Sequence, residues 1–291
     1  TGALNEAIQV ALSHDLDAIL ANDPDADRLA VALRTPSNPD QFQRLTGDQI
    51  GLILAHYLLE NADIDSNTLL ANTIVSSSQL KQMAAFHSVH YASTLTGFKW
   101  LANLSLNHQK RCGGQMLLGY EEALGYSIGG LVNDKDGVSA LLIMADAIGH
   151  YQSQGQTLWD VLDNLARRYG LGLSSQQSLR FEGVEGIQKM TSLMDQFRHQ
   201  PLTSIANSTV LRIEDYQTST IRHANGEHEA LNFPVSNVLV YWLDNQERVI
   251  VRPSGTEPKI KFYFEAIQPV KTSDAIIAKT AFFAPSSCTV P

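Results

Sequence analysis

The fold class is decided by residues 68–86, T-L-L-A-N-T-I-V-S-S-S-Q-L-K-Q-M-A-A-F, where a short apolar run is followed by three serines and a helical pattern. Residues 68–75 are typical of a buried strand. The serines at 76–78 can cap the next helix, in which Leu80 and Met83 recur at helical spacing. This stretch therefore predicts a strand followed by a helix.

The same order of strand and helix extends to both sides of this stretch. Upstream, Thr46-Gly47-Asp48 can cap a helix, and downstream Asp136 can cap an apolar one. We predict two further strands at 89–94 and 115–120 and the second helix at 138–148. Strands that alternate with helices predict an α/β layer, with ligands at the carboxyl ends of the strands.

The two ends of the chain differ from this middle part. We predict a helix and two short strands at 3–13, 18–20 and 29–33, followed by a breaker cluster at 35–40. After Tyr169-Gly170, strand-like runs predict a small α+β unit with an antiparallel meander. Those runs lie at 178–181, 210–213, 238–243, 248–251 and 259–264. The predicted domains are 1–34, 35–170 and 171–291.

Composition excludes several classes of protein. The chain has 291 residues, 44% of them hydrophobic, and a net charge of −9 from 30 acidic and 21 basic residues. No run of Lys and Arg provides the basic surface that nucleic acid requires, so we expect no nucleic-acid partner. The longest apolar stretch, 138–148, is too short to span a membrane. Two cysteines, Cys112 and Cys288, cannot form a disulfide framework, which favours a cytoplasmic location.

The loop Asn22-Asp23-Pro24-Asp25-Ala26-Asp27-Arg28 lies between two apolar runs. Its three alternating carboxylates can converge on a hard divalent cation. A calcium-binding EF-hand also begins with this alternation, but it needs Gly and Glu where this chain has Arg28 and Arg34. Carboxylates with open coordination positions suit Mg²⁺ that also contacts a phosphate. A solvated acidic turn is the alternative.

A second motif, Arg252-Pro253-Ser254-Gly255-Thr256-Glu257-Pro258, lies between two predicted strands. Glycine allows the backbone to approach an anion, Ser and Thr supply hydroxyl groups, and Arg can bind phosphate oxygens with two parallel hydrogen bonds. The motif predicts a phosphate site. A simple hairpin turn is the alternative.

Five motifs in this order resemble those of the α-D-phosphohexomutases, the phosphoglucomutase/phosphomannomutase superfamily, and most closely its phosphoglucomutase branch with phosphopentomutase-like members. They are the acidic loop, Thr96-Gly97-Phe98-Lys99-Trp100, Tyr120-Glu121-Glu122-Ala123-Leu124-Gly125-Tyr126, Lys135-Asp136-Gly137 and the Arg252–Pro258 motif. The resemblance extends to about Ala266. It implies a phosphohexomutase-like α/β domain followed by a small α+β domain.

The resemblance also implies a function: Mg²⁺-dependent interconversion of sugar 1-phosphates and 6-phosphates through a bisphosphate, with a sugar 1,6-bisphosphate as activator. It assigns Asp23, Asp25 and Asp27 to the metal. It assigns Arg28, Lys99 and Lys135 to catalysis, and the two lysines also to the substrate. The other substrate contacts that it implies are Glu121, Glu122, Arg252, Ser254, Gly255 and Thr256. Ala123 replaces a serine of many relatives, which leaves the choice of sugar open.

The family's first domain and its phosphorylated serine have no counterpart in the sequence. Ser37 superficially resembles that serine, but it directly follows the metal-loop strand, so we reject it as the nucleophile. We therefore expect a fragment of a longer protein that is inactive alone. Its first strands are expected to have unpaired edges, which favours a homodimer.

Two other functions stay open at this point. An Asp-x-Asp pair such as Asp23 and Asp25 can serve a phosphatase that uses an aspartate nucleophile, although this leaves the Arg252 motif unexplained. The fragment can also bind sugar phosphates without catalysis.

Overall fold

The computed structural model describes residues 2–183, 185–255 and 257–270. The chain divides into two compact units, Thr1–Tyr169 and Gly170–Pro291. The first unit is an α/β structure with a parallel core, and the second is an antiparallel α+β structure, as the sequence predicts.

The first unit begins with a 3₁₀ turn, Gly2–Leu4, and helix α1, Asn5–Ser13, which precede a three-stranded antiparallel sheet. Its strands are β1 (Ala18–Asn22), β2 (Leu29–Thr35) and β3 (Asn38–Arg44). The acidic loop joins β1 to β2, with Asn22 paired opposite Leu29. The breaker cluster forms a tight turn and the start of β3, so the predicted boundary at 34/35 falls inside β2.

A four-stranded sheet in the order β5-β4-β6-β7 forms the centre of the first unit. Strands β4 (Leu69–Thr73), β5 (His90–Thr94) and β6 (Met116–Glu121) are parallel, and β7 (Gly125–Ile128) is antiparallel to β6. The carboxyl end of β6 is Glu121, the second residue of the Tyr120–Tyr126 motif. Sequence patterning missed β7, which is only four residues long.

Five helices pack around this sheet. They are α2 (Gly47–Asn61), α3 (Gln79–Phe86), α4 (Phe98–Cys112), α5 (Gly137–Ser153) and α6 (Leu158–Tyr169). Three of them were predicted, whereas α4 and α6 were not. Helix α2 buries nearly all of its length, and its residues Ile50, Ile53 and Leu54 are fully enclosed in the core.

The predicted caps of α2 and α5 are confirmed. Thr46 Oγ1 accepts a hydrogen bond from the Gln49 amide at 3.2 Å, and Gln49 Oε1 accepts one from the Thr46 amide at 2.9 Å, which together form a capping box. Asp136 Oδ1 accepts hydrogen bonds from the amides of Val138 and Ser139. Both helices thus have a fixed starting residue.

The second unit is an antiparallel sheet in the order β12-β11-β10-β13-β14-β15-β8, with β9 paired to β10 and one helix, α7 (Gly186–His199), packed against it. The strands are β8 (Leu171–Arg180), β9 (Ser204–Ile205), β10 (Ser208–Asp215), β11 (Thr220–His223), β12 (His228–Ala230), β13 (Leu239–Leu243), β14 (Arg248–Pro253) and β15 (Lys259–Gln268). Met194 of α7 packs with Tyr241 and Ile260 in the core. The predicted meander is confirmed.

Among the described residues, no helix combines the length and the apolar character needed to cross a bilayer.

The capping box of α2 yields a prediction of stability. Thr46→Ala removes the side-chain acceptor for the Gln49 amide, and we expect it to lower the free energy of unfolding of the first unit by about 1 kcal/mol. Urea titration followed by tryptophan fluorescence in a Trp242→Phe background measures this, because Trp100 and Trp159 then report on the first unit alone. Thr46→Ser keeps the acceptor and is the control; an equal loss in both variants would contradict the capping role.

Candidate functional site

The acidic loop brings its three carboxylates together. One oxygen each of Asp23, Asp25 and Asp27 lies within 4.8 Å of the others. The turn that does this is closed by a 2.9 Å hydrogen bond from the Ala26 amide to the Asp23 carbonyl, and Ala26 has a positive φ of 56°. Asp25 is exposed and the other two carboxylates are partly buried. Such clustering of acidic oxygens suits a hard divalent cation.

Asp27 is polarised by a neighbouring cation. Lys135 Nζ lies 2.9 Å from Asp27 Oδ2, and the hydrogen bond from Lys135 lowers the pKa of Asp27. Burial is the largest single influence on the pKa of Lys135 and lowers it, but the hydrogen bond with Asp27 and the negative charges of Asp27, Asp134 and Glu121 together outweigh burial, so the net shift is upward. Both groups therefore stay charged near neutral pH.

The other oxygen of Asp27 fits a metal ligand. The side chain is 28% exposed, but Asp27 Oδ1 is buried and accepts no hydrogen bond from any described residue. Arg28 Nε lies 3.5 Å from this oxygen and forms an ion pair with it. A buried carboxylate oxygen without a donor is costly, and a bound cation would compensate for it.

Backbone hydrogen bonds fasten the acidic loop to two other motifs. The Gly137 amide donates to the Ala26 carbonyl at 3.0 Å, and the Leu29 amide donates to the Leu124 carbonyl at 3.1 Å. Arg28 also forms a β-bridge with Gly125. The acidic loop, the Tyr120–Tyr126 motif and the Lys135–Gly137 motif, which are distant in sequence, therefore form one assembly.

Two glycines make this assembly possible. A Cβ atom on Gly137 would lie 2.3 Å from the Arg28 carbonyl oxygen, and one on Gly125 would lie 2.5 Å from Cδ of Lys135. Both distances are too short for a real contact. The Lys135 ammonium group also lies 5.7 Å from the centre of the Phe98 ring, within the range of a cation–π contact.

Glu121 connects the end of β6 to the start of α4. Its Oε1 accepts a 2.6 Å hydrogen bond from the Gly97 amide, at the N-terminus of that helix. The motif Thr96–Trp100 is thus joined to the Tyr120–Tyr126 motif through Glu121. Lys99, in the first turn of α4, is exposed and lies 5.4 Å from the Trp100 ring centre. Among the described residues, Lys99 has no carboxylate partner within ion-pair distance.

Glu122 points to protein hydroxyl groups, unlike Glu121. Its Oε2 accepts from Ser76 Oγ at 3.2 Å and from Thr73 Oγ1 at 3.4 Å, and its amide donates to Ser76 Oγ at 3.0 Å. The sequence predicted Ser76 as part of a helix cap; in the structure, Ser77 Oγ accepts from the amide of Gln79, the first residue of α3. Ser76 instead fixes Glu122.

Buried acidic groups surround this carboxyl. Asp48 is 6% exposed and accepts hydrogen bonds from the Ser77 amide at 2.7 Å and the Tyr120 hydroxyl at 3.1 Å. Burial, followed by the charges of Asp48 and Glu121, raises the pKa of Glu122 to about 7. Sequence reasoning missed Asp48, although its place in Thr46-Gly47-Asp48 put it in the first turn of α2.

The second unit contains the predicted phosphate motif. Arg252 lies near the end of β14, and the Ser254 amide donates to the Lys259 carbonyl at 2.8 Å in the connection to β15. Arg252 forms no ion pair with any residue in the described ranges. Gly255 has open space around its Cα, and Thr256 lies outside the described residues.

Two family models match this chain. One, described as "Phosphoglucomutase/phosphomannomutase, alpha/beta/alpha domain III", matches residues 46–169. The other, described as "Phosphoglucomutase/phosphomannomutase, C-terminal domain", matches residues 221–279. Together they cover more than half of the chain.

Curated relatives agree with these models. The chain is 37% identical over 280 residues to "Probable phosphomannomutase" of Haemophilus influenzae, which covers 96% of this chain and 52% of that protein. It is 34% identical over 276 residues to "Probable phosphoribomutase" of Schizosaccharomyces pombe, with 90% of this chain and 45% of the relative covered. The chain thus spans about half the length of these relatives.

Solved structures show the same fold. Parafusin, a phosphoglucomutase of Paramecium, aligns with a TM-score of 0.59 at 20% identity over 92% of this chain and 43% of its own. A phosphoglucomutase/phosphomannomutase family protein of Burkholderia thailandensis aligns with a TM-score of 0.55 at 17% identity over 96% of this chain and 48% of its own. With both domain models matched in sequence order, the chain belongs to the phosphoglucomutase/phosphomannomutase family.

Proposed function

We propose that this chain supplies the metal, sugar and distal-phosphate sites of a phosphohexomutase, which interconverts sugar 1-phosphates and 6-phosphates through a bisphosphate. The observation that carries the proposal is the joining of Asp23, Asp25 and Asp27 to Lys135 and to the loop after Glu121. Phosphoryl transfer depends on charge neutralisation and positioning, and this assembly provides both.

Mg²⁺ is the metal that we propose, held by Asp23, Asp25 and Asp27. When bound, it would neutralise negative charge on the phosphoryl group being transferred. The donor set supports this choice because it consists only of carboxylates, which hard cations prefer. Asp27 Oδ1, which is buried and accepts no hydrogen bond from a described residue, supports a cation at this position as well.

The protein's own residues have separate tasks in this proposal. Lys135, kept charged by Asp27, and the half-exposed Arg28 supply fixed positive charge beside the metal loop. Glu121 accepts hydrogen bonds from sugar hydroxyls, and Lys99 contacts phosphate at the start of α4. Glu122 positions the loop and does not contact the substrate, because its carboxylate already accepts hydrogen bonds from the hydroxyl groups of Thr73 and Ser76. We propose this positioning role in place of the predicted substrate contact.

The second unit would bind the phosphate that is not transferred, through Arg252, Ser254, Gly255 and Thr256. The family's phosphorylated serine motif does not occur in these 291 residues. We therefore propose that the phosphoryl donor belongs to another segment. We also propose that a sugar 1,6-bisphosphate activates the complete enzyme and that this enzyme works in the cytoplasm. Pairing through the edge strand β1 or β3 would give a homodimer.

The metal assignment predicts the effect of one substitution. Asp25→Asn removes a charged ligand, and we expect it to weaken Mg²⁺ binding at least about tenfold. Titration calorimetry with MgCl₂ measures this. Asp134→Asn is the control, because it removes a carboxylate that lies near the metal loop, 3.8 Å from Lys135 Nζ, but is not one of the three clustered carboxylates. Equal weakening in both variants would show a general charge effect and refute the assignment.

Glu121 provides the direct test of the proposed function. We expect Glu121→Gln to weaken binding of glucose 1,6-bisphosphate about tenfold, since a hydrogen bond to a carboxylate contributes roughly 1.5 kcal/mol or more. Inorganic phosphate, measured by the same calorimetry, should bind as before, because it has no sugar hydroxyls. The glutamine can still accept from the Gly97 amide. If the bisphosphate binds both proteins equally, Glu121 does not bind the sugar.

Glu122 makes the stability of the first unit depend on pH. Its folded-state pKa, about 7, lies above the ordinary value of 4.5, so the folded protein holds this proton more tightly than the unfolded chain does. The contribution of Glu122 to stability is therefore greatest below pH 4.5 and is lost as the pH rises through 7, by up to about 3 kcal/mol.

Glu122→Gln isolates this contribution because it mimics the protonated carboxyl at every pH. Urea unfolding in the Trp242→Phe background, at several pH values from 4.5 to 7.5, gives the difference between parent and variant. We expect the parent to lose stability relative to the variant as the pH rises. A constant difference would mean that Glu122 does not titrate in this window.

A further inference from the structure

Strand β8 lies at one end of the antiparallel sheet in the second unit. One of its edges pairs with β15, and no described strand pairs with the other edge, which we call the outer edge of β8. The strand has ten residues, all of which pair with β15 without a register shift. At about 3.3 Å per residue, the outer edge is roughly 33 Å long. The strand at the opposite end of the sheet, β12, has only three residues.

The hydrogen bonds to β15 show which backbone groups of β8 are directed to the outer edge. Just beyond the strand, the Phe181 amide donates to the Pro258 carbonyl at 2.9 Å. In an antiparallel pair, the residues that bond across the pair alternate along each strand. The odd-numbered residues of β8 therefore bond to β15. Even-numbered residues such as Gly172, Gln176 and Ser178 direct their amides and carbonyls to the outer edge.

Strand β8 lacks the features that usually protect an edge strand from another chain. Natural edge strands carry lysine, proline or a bulge, or are very short. Residues 171–179 contain neither a charged residue nor a proline, and the pairing with β15 has no bulge. Residues 176–180 are exposed, and one of them, Leu179, is a large apolar residue. The outer edge is therefore suited to pairing with a further strand.

The sequence of β8 is complementary to itself when two copies lie antiparallel. Because the even-numbered residues carry the outward groups, they must lie opposite one another, so a two-fold axis passes through a single residue. An axis at Gln176 places Leu173 of one copy opposite Leu179 of the other. The serines and glutamines then lie opposite each other, and no like charges meet. An axis one residue away in either direction places one of the leucines opposite a polar residue.

We infer that β8 is a self-association surface, through which two copies of this chain pair antiparallel about a two-fold axis at Gln176. The sheets of the two copies then form one continuous sheet. Backbone hydrogen bonds along the outer edge hold the copies together, and the opposed leucines fix the register. This surface is separate from β1 and β3, and the inference does not depend on the mutase function.

Two substitutions at the axis test the interface in the 291-residue chain, which should sediment as a dimer at micromolar concentration. Gln176→Pro removes an outward amide hydrogen but no bond to β15, and Gln176→Lys places two positive charges opposite each other. We expect the dimer dissociation constant to rise at least about tenfold for the proline and about threefold for the lysine. Far-UV circular dichroism checks that both variants fold.

Ala230→Pro is the matched control at the opposite end of the same sheet. The Leu231 amide donates to the Ser219 carbonyl at 2.9 Å, so the preceding residue, Ala230, directs its amide to the outer edge of β12. This variant should dimerise like the parent. If the parent chain is a monomer, the inference is wrong. It is also wrong if both Gln176 variants dimerise like the parent, which would favour pairing through β1 or β3.

Cysteine crosslinking tests the register in a background with Cys112→Ser and Cys288→Ser. Gln176→Cys places two thiols opposite each other, with Cα atoms about 5.5 Å apart, which a disulfide can span. Ser178→Cys is the control, because its two copies lie four positions apart along the strands, about 13 Å. Mild oxidation should crosslink the first variant into a dimer and leave the second a monomer on a denaturing gel. Equal crosslinking of both would refute the proposed pairing.

Discussion

The ion pair between Lys135 and Asp27 is the contact on which the candidate site depends. It joins the loop between β1 and β2 to the segment before α5, which belong to different sheets and layers of the first unit. Because Lys135 also lies over the Phe98 ring, the same ammonium group connects the start of α4. A partly buried pair of this kind contributes more through geometry than through energy, because desolvation offsets much of the attraction.

A second set of polar groups fixes the Tyr120–Tyr126 motif. Asp48 holds Ser77 and Tyr120, while Ser76 holds both the amide and the carboxylate of Glu122. These bonds join the start of α2 to the segment before α3 and to the end of β6, and they join the segment after β4 to the segment after β6. Adjacent glutamates in one motif thus acquire different environments, one at the surface of the loop and one inside the protein.

Much of this arrangement could be predicted from the sequence, because short stretches of residues, such as apolar runs and helix caps, determine it locally. Apolar runs marked β4, β5 and β6, and the Asp136 and Thr46 caps marked where helices begin. The acidic alternation predicted a cluster that the structure contains.

Helix α4 was missed because polar residues interrupt its buried positions Phe98, Leu101 and Ser105. Strand β3 was missed because Asn38-Pro39-Asp40 resembles a turn, although sheet pairing with β2 decides its conformation. The environment of Glu122 depends on residues far away in the chain, which periodicity cannot reveal.

The glycine contacts around the site have a consequence for which positions of the chain tolerate substitution. Gly47, Gly125 and Gly137 each lie where a single added carbon would collide with a neighbouring motif, whether with its backbone or with a side chain. Ala123, between Glu122 and Leu124, is instead exposed at the tip of the sugar loop. Mutational change can therefore accumulate at the tip while the frame beneath it is held constant. Positions that tolerate a larger side chain and positions that exclude even one added carbon therefore lie a few residues apart in one motif.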